Sequence, residues 1–145
     1  MPIRSFVKVQ FVQNNLSIFA LMIVSGLMLL WPMINRRVSG IKEVGSMEAT
    51  QLINHHDALI LDVREDREWS GGHVPNAKHI PLGQLAGRMK ELEKFKGKPI
   101  IAICRSGARS GRGCGVLRKN GFEQVYNLSG GMMAWERANM PVEHK

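Results

Sequence analysis

Between Lys8 and Arg36 the chain carries no charged side chain, and residues 16–34 read Leu-Ser-Ile-Phe-Ala-Leu-Met-Ile-Val-Ser-Gly-Leu-Met-Leu-Leu-Trp-Pro-Met-Ile. That length suits the roughly 20 residues that cross a hydrocarbon core, where a helix satisfies its own backbone. The pattern predicts a transmembrane helix over residues 16–35, with Trp31 as an interfacial anchor and Pro32 near the end of the span. A cleaved leader fits less well, since Trp31-Pro32-Met33-Ile34 offers no small-residue cleavage site. Beyond residue 44 the pattern changes. Residues 58–63, 99–103 and 124–128 are short apolar runs that read as strands, the second as a buried strand of a parallel sheet. Residues 84–95 have Leu85, Met89, Leu92 and Phe95 near helical spacing, and residues 46–54, 65–70, 110–120 and 132–138 also read as helices. Strands alternating with helices predict an α/β domain with a parallel sheet flanked by helices and joined by right-handed crossovers.

The organisation expected is a flank at 1–15, the transmembrane helix at 16–35, a linker at 36–43, the α/β domain at 44–141 and a tail at 142–145. Residues 38–44 read as linker or as a first edge strand. Ser46 suits an N-cap, with Glu48 in the first turn. Trp69 and Trp135 suit core positions, and Gly71-Gly72 and Gly121 suit helix stops. Gly111, Gly113 and Gly115 are costly in a helix and predict close packing on the sheet. His73, between Gly72 and Val74-Pro75, reads as a hydrogen-bonded loop strut. His55-His56 are adjacent, so on a helix they point about 100° apart, which suits a solvated helix end better than a metal site.

Charge refines this picture. The formal net charge is +8, but residues 1–42 hold five basic side chains (Arg4, Lys8, Arg36, Arg37, Lys42) and no acidic one. More than half the excess therefore flanks the apolar segment, which points to membrane orientation and away from nucleic acid. The Arg36-Arg37 pair favours the C-terminal domain on the cytoplasmic side of a single-pass protein. The two cysteines, Cys104 and Cys114, form neither a disulfide framework nor a zinc motif, and suit a reducing compartment. Cys114 reads as a small buried hydrophobe.

The candidate chemistry lies in Cys104-Arg105-Ser106-Gly107-Ala108-Arg109, between a strand and a helix. Unpartnered N–H groups and the helix dipole give that junction partial positive charge. Gly107 lets the backbone curl so that N–H groups point inward as a nest. With Arg105 and Arg109 these features favour thiolate over thiol at Cys104, and the thiolate is the nucleophile.

This stretch, running on to Ser110, resembles the active-site loop of the rhodanese (thiosulfate sulfurtransferase) family. Leu61-Asp62-Val63-Arg64, then Glu68-Trp69, then Gly72-His73-Val74-Pro75-Asn76-Ala77 is similar to that family's upstream signature, with Asn76 in place of the usual Gly. Leu128-Ser129-Gly130-Gly131-Met132-Met133-Ala134-Trp135 is similar to its C-terminal one. The match covers roughly residues 44–141. Cysteine phosphatases place five residues between Cys and Arg; here four intervene, and the shorter loop resembles the sulfur-transferring members. The resemblance implies a rhodanese-like fold and a persulfide shuttle. In it, Cys104 attacks an anionic donor such as thiosulfate, held by Arg109 and the loop amides of residues 105–109, and a thiol or cyanide takes the sulfur. Asp62 and Arg64 would support the site, Asp62 in a structural role. No metal or organic cofactor is expected. The expected partners are the small donor, the acceptor, membrane lipid along residues 16–35 and a membrane or sulfur-acceptor protein, but no nucleic acid. The alternative is a membrane-tethered sulfur carrier or adaptor whose role is partner binding.

Overall fold

The three apolar runs form the inner strands of a five-stranded parallel sheet. A computed structural model describes the backbone of residues 14–38 and 40–144, and the side chains of 14–31 and 40–144. The chain divides into two units between Gly40 and Ile41.

The first unit holds helix α1, Leu16–Val38. Among the described residues no helix is long and apolar enough to cross a membrane, so the expected span over residues 16–35 is not supported. Of α1, the side chains of residues 16–31 are described. Beyond them the helix runs on through Asn35, Arg36 and Arg37. Along the described part, Leu21, Leu27, Met28, Leu29 and Trp31 are all exposed.

The second unit is an α/β domain. Its strands are β1 (Lys42–Val44), β2 (Leu59–Asp62), β3 (Lys78–His79), β4 (Ile100–Ile103) and β5 (Val125–Leu128). They lie in the order β1-β5-β4-β2-β3, and every pairing is parallel. Lys42–Val44, on the border between expected linker and domain, is an edge strand with Lys42, Glu43 and Val44 opposite Tyr126, Asn127 and Leu128.

Successive strand side chains point to opposite faces, so each strand serves two cores. Ile100 and Ala102 of β4 join Leu61, Val63, Leu85, Leu92 and Leu117 on one face. Ile101 and Ile103 join Ile60, Ala49, Met132 and Trp135 on the other. Each fully buried Leu contributes about 1.5–3 kcal/mol relative to exposure. Both faces are covered by the helices α2 (Ser46–His56), α3 (Asp66–Ser70), α4 (Leu82–Leu85), α5 (Ala108–Lys119) and α6 (Gly131–Arg137).

Local chemistry departs from the sequence reading at several points. Residues 84–95 are not one α-helix. The short α4 passes into 3₁₀ turns over Ala86–Phe95, kinked at Arg88 (φ −111°, ψ 19°), which still bury Met89 and Leu92. Helix α2 begins at Ser46, so Gly45 is its N-cap and Ser46 makes no capping bond. Of the three glycines in α5, Gly113 packs closely, with Leu85 and Val63 each 3.5 Å from where a Cβ would lie, whereas Gly115 meets open space. Trp69 is half-buried and stacks between His73 and His79, with ring centroids at 3.6 and 4.7 Å. Residues beyond Pro141 are tied down: Glu143 exchanges backbone hydrogen bonds with His73 at 2.8 and 2.9 Å.

Candidate active site

Strand β4 is central in the sheet, and Cys104 follows its last residue at the carboxyl edge, where open α/β sheets form their ligand crevice. Gly107, at φ +100° and ψ −12°, turns the chain into α5. A side chain rarely tolerates that conformation.

The loop carbonyls are held on the outside. Met132 N–H donates to Cys104 O at 2.8 Å, and Met133 N–H to Arg105 O at 3.2 Å. Asn127 Nδ2 donates to Gly107 O at 3.0 Å. The start of α6 reaches the loop because Gly131 has φ +56° and no side chain; a Cβ there would lie 2.3 Å from Cys104 O. With the carbonyls anchored, N–H groups turn toward the sulfur. Gly107 N–H donates to Cys104 Sγ at 3.1 Å, and Ser110 Oγ lies 3.3 Å from it.

Cys104 is 1 % exposed. Burial pushes its thiol pKa up, but the Ser110 hydroxyl and the N–H groups of Ser110, Ser106 and Gly107 outweigh burial and hold it below the ordinary value. Cys114 is the contrast. It is fully buried, donates to Tyr126 O at 3.4 Å, and burial followed by the Glu43 charge pushes its pKa up to about 12.

The other expected residues are placed as follows. Arg105, Ser106 and Ala108 are exposed. Arg109 does not stand free as a donor clamp. Its Nη1 and Nη2 each lie 2.6 Å from a carboxylate oxygen of Glu68, a bidentate pair about one-quarter exposed. The Arg109 hydrogen bonds, opposed by burial, bring the Glu68 pKa down to about 2. Glu68 reaches this position because it is also the N3 residue of a capping box with Glu65 at the start of α3. Asp62 and Arg64 form a buried strut. Arg64 Nη2 donates to Asp62 Oδ2 at 2.8 Å and to Gly72 O at 2.7 Å, tying the end of β2 to the turn after α3.

Sequence reasoning missed Asn127, and it gave Glu68, Ser110 and Gly131 no role of their own although each lies in a family-like motif. The available signals were a hydroxyl at the residue after Arg109, one polar position inside the run Val-Tyr-Asn-Leu, and a Gly pair opening a helix.

Residues 47–138 match the profile of the rhodanese-like domain. The chain belongs to the rhodanese-like family. Among related proteins, "Sulfurtransferase" of Allochromatium vinosum is 35% identical over 103 residues, covering 70% of this chain and 94% of that protein. "Thiosulfate sulfurtransferase GlpE" of Pseudoalteromonas translucida is 32% identical over 97 residues, covering 67% and 90%. Among solved structures, the rhodanese-like domain protein of Staphylococcus aureus superposes with a TM-score of 0.63 at 30% identity, over 72% of this chain and 99% of that one. In this rhodanese-like domain the loop surrounds a buried cysteine sulfur with inward amides.

Proposed function

We propose that the protein is a sulfurtransferase that moves a sulfane sulfur from a small anionic donor, such as thiosulfate, to a thiol or cyanide through a persulfide on Cys104. The observation that carries this reading is the set of donors around one buried sulfur: Gly107 N–H at 3.1 Å, the Ser110 hydroxyl at 3.3 Å and the Ser106 and Ser110 amides.

In the first half-reaction Cys104 thiolate attacks the outer sulfur of thiosulfate. The S–S bond of the donor breaks and sulfite leaves with the electron pair. Cys104 then carries one extra sulfur, with the negative charge on that terminal atom. In the second half-reaction an acceptor thiolate or cyanide attacks the terminal sulfur, and Cys104 leaves as thiolate. No proton transfer to a leaving group is required in either step. The amides at residues 105–109 stabilise the anionic sulfur, and fixed dipoles do this without reorganising during reaction. Arg105 supplies charge at the loop, and Arg109 supplies more whenever the donor displaces Glu68.

Cys104→Ser tests the assignment. Intact-mass measurement after thiosulfate treatment should show the wild type gaining one sulfur atom and Cys104→Ser gaining none. Sulfur uptake by Cys104→Ser at another residue would remove the assignment.

We also propose that residues 16–35 attach the domain to a membrane, with the domain on the cytoplasmic side. The uncharged stretch from residue 9 to residue 35, the exposed apolar side chains of α1 and the Arg36-Arg37 flank support this reading. Fractionation of the full chain at physiological salt should leave it with the membrane pellet; recovery in the supernatant would overturn it.

A further inference from the structure

The Ser110 hydroxyl has one proton and two acceptors. It lies 3.3 Å from Cys104 Sγ and 2.6 Å from Asn127 Oδ1. Ser110 is fully buried and Asn127 is 3 % exposed, so water does not take the place of either partner. The Asn127 amide cannot turn round to offer its NH₂ instead. Both Nδ2 hydrogens are committed, one to Gly107 O at 3.0 Å and one to Glu43 Oε1 at 2.9 Å. Oδ1 is therefore fixed facing Ser110.

The proposed reaction moves charge in a way that matches these two acceptors. In the free thiolate the negative charge sits on Sγ, which is then a strong acceptor. In the persulfide the charge sits on the terminal sulfur, and Sγ becomes a neutral divalent atom that accepts weakly. A buried hydroxyl left pointing at a weak acceptor is costly. Resting on the sulfur-transfer reading above, we propose that Asn127 is a positioning residue that gives the Ser110 hydroxyl a second acceptor. The hydroxyl donates to Cys104 Sγ in the thiolate and turns to Asn127 Oδ1 once the persulfide forms. Asn127 thereby stabilises the sulfur-loaded state, and Ser110 the unloaded one. Glu43, on the edge strand, fixes the amide orientation on which this depends.

The test is the equilibrium Cys104–S⁻ + S₂O₃²⁻ ⇌ Cys104–S–S⁻ + SO₃²⁻, read as the loaded fraction by intact mass in mixtures of thiosulfate and sulfite. A pH of about 9.5 keeps the free cysteine ionised. Asn127→Leu removes the second acceptor and should lower the loading constant about tenfold. Ser110→Ala removes the donor to the thiolate and should raise it several-fold. In the Ser110→Ala background, Asn127→Leu should change nothing further, because no hydroxyl is left to turn. Asn127→Asp keeps an acceptor for Ser110 while losing both Nδ2 bonds, and should raise the constant or leave it unchanged. If Asn127 only props the loop, Asn127→Leu and Asn127→Asp fall together and the Ser110→Ala background does not abolish the effect; that result overturns the proposal. Should Asn127→Leu fail to fold, the opposite signs expected for Asn127→Asp and for simple loop loosening still decide it. A wild type that gains no sulfur overturns the sulfur-transfer reading itself, and a wild type that loads while the variants misbehave overturns only the role of Asn127.

Discussion

The amide of Met132 donates to the carbonyl oxygen of Cys104 at 2.8 Å, so the first turn of one helix grips the peptide that carries the candidate nucleophile from outside the loop. In a planar trans peptide the C=O of one residue and the N–H of the next point to opposite sides. The bond from Met133 to Arg105 O thus turns the next amide, that of Ser106, toward Cys104 Sγ.

Gly131→Ala should break this grip. A Cβ would stand 2.3 Å from Cys104 O and 2.6 Å from the Arg105 carbonyl carbon, on a residue already at φ +56°. Both contacts are backbone, so relief requires the loop or α6 to shift. The expected cost is about 2–3 kcal/mol of stability, from overpacking and strain together. Urea unfolding measures it, and sulfur uptake in the folded fraction should fall at the same time.

Glu68→Gln should release Arg109 for the donor. The carboxylate is ionised at all working pH values, with its pKa held at about 2, so it competes with any anion for the guanidinium. The neutral amide keeps a weaker hydrogen bond to Arg109 but no charge. Thiosulfate kcat/KM should rise about three- to tenfold, as expected for removing one screened charge near a dianion. The pair is partly exposed, so stability should change by less than about 1 kcal/mol. An unchanged or lower kcat/KM would show that Arg109 does not hold the donor.

Asp62→Asn should destabilise the domain without changing the chemistry. Asp62 is fully buried against Arg64, whose Nη2 and Nε both donate to it. Removing the carboxylate charge leaves Arg64 buried with an uncompensated charge, costing about 3–5 kcal/mol. The denaturation midpoint should drop by the corresponding amount, while the sulfur uptake of molecules that remain folded should match the wild type.

The two cysteines should part company with pH. The Cys104 thiol is held below its ordinary pKa, so it should alkylate at lower pH than a free cysteine; Cys114 should not react in the folded protein. Cys114 also affects alkaline stability. Its folded pKa is raised from 9.0 to about 12, so above about pH 9 the unfolded chain loses its proton while the folded one keeps it. Its stabilising contribution is complete below the unfolded pKa and declines as pH rises from about 9 to 12. Cys114→Ala should flatten that part of the stability profile, measured by urea midpoints across the alkaline range.

The α/β class, β2, β4 and β5, and the thiol at the end of β4 were legible in the sequence because each rests on a local pattern. Continuous apolar runs make strands buried on both faces, and glycine beside a strand end marks a turn. The structural role expected of Asp62 came from the family resemblance, and in the structure Asp62 pairs with Arg64. The 3₁₀ turns at Ala86–Phe95 were not, because apolar positions spaced three and four apart suit either kind of helical turn until packing chooses.

What the sequence determined by itself is the three inner strands, most of the helices and the place of Cys104 at the carboxyl edge of a parallel sheet, since these follow from hydrophobic period and from chemistry within a few residues. The tertiary structure decided which side chains reach that sulfur. Glu68 lies 41 residues from Arg109, Asn127 17 from Ser110, and Met132 28 from Cys104, counted along the chain. Such contacts arise only after parallel strands with long crossovers bring distant segments to one edge. No local pattern records that a guanidinium will be paired, or that a buried hydroxyl will have two acceptors to choose between.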